Sequence, residues 1–198
     1  MNLPNKLTLL RTILVPFFLL FLFLTAIPFG KTIALFLFVA AAITDAMDGH
    51  IARKNNLVTN FGKFLDPLAD KVLVIAALVA FIELDIVGAI PVIIIIAREF
   101  MVSGLRLIAA GSGIVGAAGF SGKLKTAFTM IAVIFILVHL AVSEDFEWFG
   151  LLSEGLEKTV EKYVDWAELA LIWLSTALTV ISGCVYLKGY WNLIDADK

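Results

Sequence analysis

Six long apolar runs constrain the fold of this chain more than any other feature of its sequence. Each is close to the ~20 residues that an α-helix needs to cross the hydrocarbon core of a bilayer. In lipid the backbone polar groups must be satisfied within the spanning element, so these runs are expected to be helices. The predicted spans cover roughly 8–28, 32–53, 61–82, 86–109, 120–142 and 166–187. We therefore expect an all-α integral membrane bundle of six transmembrane helices.

The composition agrees with a membrane protein. Hydrophobic residues make up 61% of the 198 residues and charged residues only 16%, whereas about a quarter of a soluble domain is charged. The net charge of −2 provides no basic field of the kind that attracts nucleic acid. Because Cys184 is the only cysteine, the chain cannot form an intramolecular disulfide. Cys184 also lacks the second Cys or paired His that a zinc site would need. With no repeat or linker, residues 1–198 are expected to form a single domain.

The first apolar run, from about Thr8 to Pro28, invites a signal-peptide interpretation. It is longer than a signal-peptide core and lacks a convincing cleavage site. Asn2, Asn5, Thr8 and Arg11 are three residues apart, a spacing that lines one face of a helix. We therefore expect this run to remain in the protein as its first span, with Asn5 and Thr8 able to reach a nucleotide.

The distribution of lysine and arginine predicts the orientation. If six spans cross the membrane in alternating directions, most of the basic residues lie on one side. These are Lys6, Arg11, Arg53, Lys54, Lys63, Arg106, Lys123, Lys125, Lys188 and Lys198. The other side receives Lys31 and the acidic segment 143–165. The positive-inside rule then places both termini in the cytoplasm.

The acidic segment itself contains a helical pattern. Leu152, Leu156, Val160 and Tyr163 recur every three or four residues, which is typical of an amphipathic helix at a membrane surface. We expect an interfacial helix here, separate from the last span.

Four aspartates near the cytoplasmic loop between spans two and three are the most informative polar residues. Asp45 and Asp48 are three apart near the end of span two, and Asp66 and Asp70 are four apart near the start of span three. Each spacing puts the pair on one helical face. Because the two spans are antiparallel neighbours joined by a short loop, we expect the four carboxylates to converge at one depth.

Such a quartet needs compensating charge, because each acid in a membrane helix costs up to roughly 3 kcal/mol and the four repel one another. Hard oxygen ligands without His or Cys select Mg²⁺, Mn²⁺ or Ca²⁺. Four carboxylates suit two such ions, an arrangement used in phosphoryl displacement. Acids solvated at a helix end are the alternative, and this explains one or two of them better than all four.

The neighbouring residues favour a nucleotide ligand. Gly49 and Ala52 share a face with the first pair and leave room for a ribose or base, and Gly62 gives similar clearance one turn before Asp66. Arg53 offers a fork of donors to a phosphate oxygen.

The whole pattern, D-x-x-D-G-x-x-A-R, eight residues, then G-x-x-x-D-x-x-x-D, resembles the signature of the CDP-alcohol phosphotransferase family. The resemblance implies that Asp45, Asp48 and Asp66 bind two metal ions, Mg²⁺ or Mn²⁺. It also implies that Asp70 contacts metal and acts as the general base. The CDP moiety is then met by Asp45, Gly49, Ala52 and Arg53. A homodimer is a further implication of the family.

Within the family, the stretches NKLTLLRTILVPFF, FLDPLADKVLV, IAREFMVSGLR and GKLKT resemble the branch that transfers a phosphatidyl group from CDP-diacylglycerol to glycerol 3-phosphate. A phosphorylated acceptor needs a cationic subsite, for which the sequence offers Arg106, Lys123, Lys125, Arg98 and Arg11. A structural ion pair with Glu99 is the alternative role for Arg98. For Lys123 and Lys125, ordinary positive-inside loop charge is the alternative.

Two other functions stay open at the level of the sequence. A sibling enzyme would use another acceptor, such as phosphatidylglycerol, serine or inositol phosphate, although the basic residues favour a phosphorylated one. A divalent-cation transporter would also place carboxylates in membrane helices. The aspartates lie at one end of two helices and leave no charged path through the bilayer, which favours the enzyme.

Overall fold

The fold is known from a computed structural model, which describes most of the chain. The backbone is described for residues 3–55, 60–111, 119–145 and 154–194. Side chains are described for residues 9–44, 71–109, 111, 119–145 and 161–191. All regular structure within these ranges is helical, so the predicted all-α class is confirmed.

Six α-helices and one π-helical turn make up the described structure. The helices are α1 (Leu3–Phe23), α2 (Gly30–Asn55), α3 (Asn60–Glu83), α4 (Ala89–Gly111), α5 (Phe120–Leu140) and α6 (Glu154–Ile194). The π turn, Ala141–Asp145, directly follows α5. The chain divides into two compact units, which we call unit 1 (Met1–Ala80 with Val133–Asp165) and unit 2 (Phe81–Ala132 with Trp166–Lys198).

Each predicted span falls largely within one of these helices, but the last one differs from the prediction. The separation between an interfacial helix and the last span is wrong, because α6 runs without interruption from Glu154 to Ile194. Charged residues lower the hydropathy before Trp166, yet Glu and Lys are good helix formers and the backbone continues through them.

Unit 1 is organised around the packing of α1 against α2. The rings of Phe18 and Phe38 are fully buried between them, with centroids 5.6 Å apart. Gly30, at the start of α2, lies so close to the end of α1 that a Cβ atom there would be 3.1 Å from the carbonyl oxygens of Phe21 and Leu24. The missing side chain therefore permits the tight connection between the two helices.

The N-terminus of α2 is held by residues distant in sequence. Asp145, in the π turn, accepts hydrogen bonds from the backbone N–H and the hydroxyl of Thr32, at 2.6 and 2.5 Å. Lys31 donates to the carbonyl oxygen of Leu22 at 2.6 Å and lies 3.2 Å from a carboxylate oxygen of Glu144. These contacts satisfy a free N–H group of α2 and a free carbonyl of α1.

Unit 2 combines α4, the first part of α5 and most of α6. Val102 and Ala109 of α4 form a buried cluster with Tyr186 and Tyr190 of α6. The two tyrosine rings are stacked, with centroids 6.3 Å apart. Tyr186 of this cluster lies beside Arg106 of α4, which donates a hydrogen bond to its hydroxyl oxygen at 2.6 Å.

Apolar helices of spanning length occur in the part of the chain that the structure describes. Phe120–Asp145 and Glu161–Trp191 are long and apolar enough to cross a membrane, and less than half of each is buried. Leu9–Phe23 and Gly30–Thr44 are shorter apolar helices. These findings indicate a membrane protein, while the number of spans stays a prediction.

The surface of the helices supports the same conclusion. Large apolar side chains are exposed on α2, α4 and α5, including Phe36 at 70%, Leu107 at 74% and Phe120 at 80%. Soluble monomers rarely expose contiguous apolar patches of large area. Lipid is the environment in which such side chains lose nothing by facing outwards.

Candidate active site

The four aspartates lie on the two helices that the sequence predicted. Asp45 and Asp48 are in the last turns of α2, which ends at Asn55, and Asp66 and Asp70 are in the first turns of α3. Because both segments are helical, each pair of positions shares one face of its helix. The side chains themselves lie outside the described residues, so the convergence of the carboxylates stays a prediction.

Most residues expected to bind the nucleotide also have side chains outside the described part. These are Gly49, Ala52 and Arg53 on α2, Gly62 on α3, and Asn5 and Thr8 on α1. Arg11, on α1, is described and is only 2% exposed. Its predicted contact with the acceptor stays a prediction.

A set of polar side chains, which we call the α4–α6 cluster, lies within unit 2. Its members are Arg98, Glu99 and Arg106 of α4, Lys125 of α5, and Ser182 and Tyr186 of α6. Three of these, Arg98, Arg106 and Lys125, belong to the basic residues that the sequence offered for an acceptor phosphate. The structure links these three through Arg98, which shares Glu99 with Lys125 and the ring of Tyr186 with Arg106.

Glu99 joins two of the cations. Its Oε1 accepts a hydrogen bond from Arg98 Nη1 at 2.9 Å and also contacts the ammonium of Lys125. Arg98 Nη2 donates to the hydroxyl of Ser182 at 2.6 Å. Arg98 is 8% exposed and Lys125 is 5% exposed. The ion pair that the sequence gave as an alternative role for Arg98 is thus present.

Tyr186 joins Arg106 to the start of α5. Its hydroxyl oxygen accepts hydrogen bonds from Arg106 Nη2 at 2.6 Å and from the backbone N–H of Gly119 at 3.1 Å. The guanidinium carbon of Arg106 lies 4.9 Å from the centroid of the tyrosine ring, and that of Arg98 lies 5.5 Å from it. Both distances are within the range of cation–π attraction.

The cluster has an excess of positive charge. Arg98 and Lys125 are buried and share the single carboxylate of Glu99, whereas Arg106 is exposed. The named members therefore include more cations than carboxylates, and a local excess of positive charge attracts anions.

The structure separates the two lysines that the sequence treated together. Lys125 is buried and ion-paired with Glu99, whereas Lys123, two residues earlier on α5, is exposed. Residues two apart on a helix point in different directions, which accounts for the difference. Lys123 matches ordinary positive-inside charge more closely than Lys125 does.

Sequence reasoning missed Ser182 and Tyr186. Each lies in an apolar part of α6, where no basic or acidic motif draws attention to it. One signal was available: the two polar residues are four apart and therefore share a helical face, and polar residues inside a membrane helix usually have a partner. Which partner they have is decided by α4 and α5, which are remote in sequence.

Comparison with known proteins places these features in a family. The sequence model of the CDP-alcohol phosphatidyltransferase family matches residues 1–181. A relative in Bacillus subtilis (strain 168), named CDP-diacylglycerol–glycerol-3-phosphate 3-phosphatidyltransferase, is 43% identical over 208 positions, which cover 100% of this chain and 99% of the relative.

Relatives with the same name occur in other bacteria. The protein from Rickettsia bellii (strain RML369-C) is 36% identical over 94% of this chain and 94% of its own length. The protein from Escherichia coli (strain K12) is 36% identical over 94% of this chain and 93% of its own length. With the family model matching residues 1–181 and these relatives aligned over at least 94% of the sequence, the chain belongs to the CDP-alcohol phosphatidyltransferase family, and it is an enzyme.

Proposed function

We propose that the chain transfers a phosphatidyl group from CDP-diacylglycerol to sn-glycerol 3-phosphate, giving phosphatidylglycerophosphate and CMP. The observation that carries this proposal is the 43% identity, over its full length, to a relative named for that reaction. All eight positions of the predicted signature lie on α2 and α3, the two helices expected to hold the site. The product is an anionic phospholipid precursor. The lipid donor, CDP-diacylglycerol, and this lipid product both reside in a membrane.

The donor set fits a divalent cation. The signature supplies four carboxylates, with neither His nor Cys among its eight positions. Oxygen-only sets of this kind suit Mg²⁺ or Mn²⁺. We assign Asp45, Asp48, Asp66 and Asp70 to hold two such ions. When bound, these supply Lewis-acid stabilisation of charge on the phosphate oxygens.

The chain's own residues then account for the transfer. The hydroxyl oxygen of the acceptor attacks the β-phosphorus of CDP-diacylglycerol, and Asp70 takes the proton of that hydroxyl. A new P–O bond forms to the acceptor, and the P–O bond to CMP breaks. Arg53 donates hydrogen bonds to the departing phosphate. Gly49, Ala52 and Gly62 leave space for the nucleotide, with Asn5 and Thr8 as additional polar contacts.

The phosphate of the acceptor requires cationic partners of its own. The cations of the α4–α6 cluster outnumber its one carboxylate, Glu99, which supports a role for Arg98, Arg106 and Lys125 in binding it. Lys123 and Arg11 are further members of the proposed subsite. Because Arg98 and Lys125 already share Glu99, they would attract the anion through their net charge, while Arg106 is exposed and free to offer direct donors.

The proposed arrangement in the membrane has six spans, with both termini and the active site in the cytoplasm. The chain would act as a single domain and assemble as a homodimer. Exposed apolar side chains on α2, α4 and α5 support the membrane location. Concentration of basic residues on one side supports the orientation. Light scattering of the purified protein in detergent measures the oligomeric state.

A reconstituted assay tests the activity. Purified protein is incubated with CDP-diacylglycerol, Mg²⁺ and a panel of acceptors: glycerol 3-phosphate, serine, inositol phosphate and phosphatidylglycerol. We expect CMP release and phosphatidylglycerophosphate, identified by mass spectrometry, with glycerol 3-phosphate alone. Chelation of the metal with EDTA should abolish the reaction, and added Mg²⁺ should restore it. Product formed with another acceptor and none with glycerol 3-phosphate would contradict the assignment.

A further inference from the structure

The hydroxyl of Tyr186 has more hydrogen-bonding capacity than its neighbours use. A phenolic oxygen accepts two hydrogen bonds and donates one. Both acceptor positions are filled, by Arg106 Nη2 at 2.6 Å and by the backbone N–H of Gly119 at 3.1 Å. Since both neighbours are donors, the hydrogen of the hydroxyl must point elsewhere. Within the described part of the chain, no group accepts it.

The surroundings of this hydrogen are suited to an anion. The guanidinium groups of Arg98 and Arg106 lie within 5.5 and 4.9 Å of the tyrosine ring centroid. Gly119 immediately precedes α5, so the hydroxyl lies at the N-terminus of a 21-residue helix. Helix N-termini carry partial positive charge and favour anions. An oxygen of a negatively charged ligand is therefore the acceptor that the free O–H hydrogen fits best.

The position of the hydroxyl is fixed by close packing. Tyr186 is 6% exposed. A Cβ atom on Gly122 would lie 3.1 Å from its hydroxyl oxygen and 3.4 Å from a ring carbon. The absence of a side chain at Gly122 thus lets the ring approach the first turn of α5, and the packing leaves the tyrosine little freedom to turn away from Arg106.

We propose that Tyr186 determines recognition of the anionic acceptor, by holding the Arg106 guanidinium through its hydroxyl oxygen and donating its hydroxyl hydrogen to an oxygen of the acceptor's phosphate. The proposal rests on the proposed function, because it takes the phosphorylated alcohol as the ligand of the α4–α6 cluster. It adds a neutral donor on α6 to a subsite otherwise composed of cations. A cationic cluster alone attracts any anion, whereas a fixed hydroxyl also selects for the position of the phosphate oxygen.

The substitution Tyr186→Phe tests this, because it removes the hydroxyl and keeps the ring. We expect the KM for glycerol 3-phosphate to rise by about tenfold or more, the loss typical of a hydrogen bond to a charged group. The KM for CDP-diacylglycerol should be unchanged, and kcat should change by less than about threefold, since a bond made to both ground and transition state affects KM.

Tyr190→Phe is the matched control. It makes the same chemical change one turn later on α6, at a residue that is 8% exposed and stacked on Tyr186. We expect the acceptor KM of this variant to match that of the unaltered enzyme. Equal effects of the two substitutions on the acceptor KM, or no effect of Tyr186→Phe, would overturn the proposal. Absence of activity with glycerol 3-phosphate in the unaltered enzyme would instead overturn the proposed function.

A second variant covers the case in which Tyr186→Phe does not fold. Gly122→Ala keeps the tyrosine and displaces its hydroxyl by steric contact, and Gly104→Ala adds a methyl group where no atom lies within 4 Å. We expect Gly122→Ala to raise the acceptor KM and Gly104→Ala to leave it unaltered. An unchanged acceptor KM in a folded Gly122→Ala enzyme would also count against Tyr186.

Discussion

Asp70 is the side chain on which the proposed proton transfer depends. Asp70→Asn preserves the size of the residue and an oxygen ligand but removes the base. We expect kcat to fall by about 10²- to 10⁴-fold, the usual contribution of a general base. Release of CMP measures the rate, and equilibrium binding of Mn²⁺ checks that the metal site persists.

Asp85→Asn provides the control for this substitution. Asp85 is exposed, lies outside the signature in the turn after α3, and adopts φ 57°. Asparagine tolerates this left-handed conformation as well as aspartate does. Its turnover should equal that of the unaltered enzyme. Near-normal turnover of Asp70→Asn with metal still bound would show that another group accepts the proton.

Substitution of Gly183 by alanine tests whether close packing holds Arg98 in place. A Cβ atom at this position would lie 3.1 Å from Arg98 Cγ and 3.5 Å from Met101 Cε. Overpacking typically costs about 1–3 kcal/mol, which outweighs the gain of up to ~1 kcal/mol from replacing a helical glycine. We expect Gly183→Ala to lower the thermal midpoint in detergent.

Gly189→Ala is the appropriate comparison, since it lies on the same helix with no atom within 4 Å. This variant should melt at the same temperature or higher. If Gly183→Ala melts as high as Gly189→Ala, the contact between α4 and α6 at Arg98 is looser than the structure shows.

The N-terminus of α2 depends on a cap from another part of the chain. Asp145 receives two hydrogen bonds from Thr32, one of them from a backbone N–H in the first turn. Helix caps of this kind contribute about 0.5–2 kcal/mol. We expect Asp145→Ala to lower the unfolding free energy by that amount, measured by thermal or denaturant unfolding in detergent.

Glu144→Ala is the matched change at the adjacent residue. Its carboxylate is 42% exposed and forms an ion pair with Lys31 at 3.2 Å. Partly exposed pairs contribute about 0–1 kcal/mol, so this variant should lose less stability than Asp145→Ala. The reverse order would show that the ion pair, and not the cap, fixes the start of α2.

The whole chain is predicted to cross the membrane with a defined orientation. Lys123 and Tyr163 are both exposed and are expected on opposite sides. Cysteine is introduced at each in turn after the exposed Cys184 is replaced by serine. We expect a membrane-impermeant maleimide to label Tyr163→Cys in intact cells and Lys123→Cys only after permeabilisation. Labelling of both from the same side would exclude the six-span arrangement.

The sequence alone determined the helical class, the approximate positions of the six helices and the family. Hydropathy and propensity act over neighbouring residues, so spans can be read from local patterns. The signature is local too, with its eight positions lying within 26 residues. The same local patterns did not predict that α6 is one continuous helix. Hydropathy indicates which part of a helix contacts lipid, and it does not indicate where the helix begins or ends.

Only the tertiary structure decided which polar residues become partners. Arg98 meets Ser182 from 84 residues away, Arg106 meets Tyr186 from 80, and Thr32 meets Asp145 from 113. No spacing rule connects positions so remote, since their distance depends on how the helices of each unit pack. This packing buries Lys125 while leaving Lys123 exposed, and it gives the Tyr186 hydroxyl two donors and a hydrogen to offer.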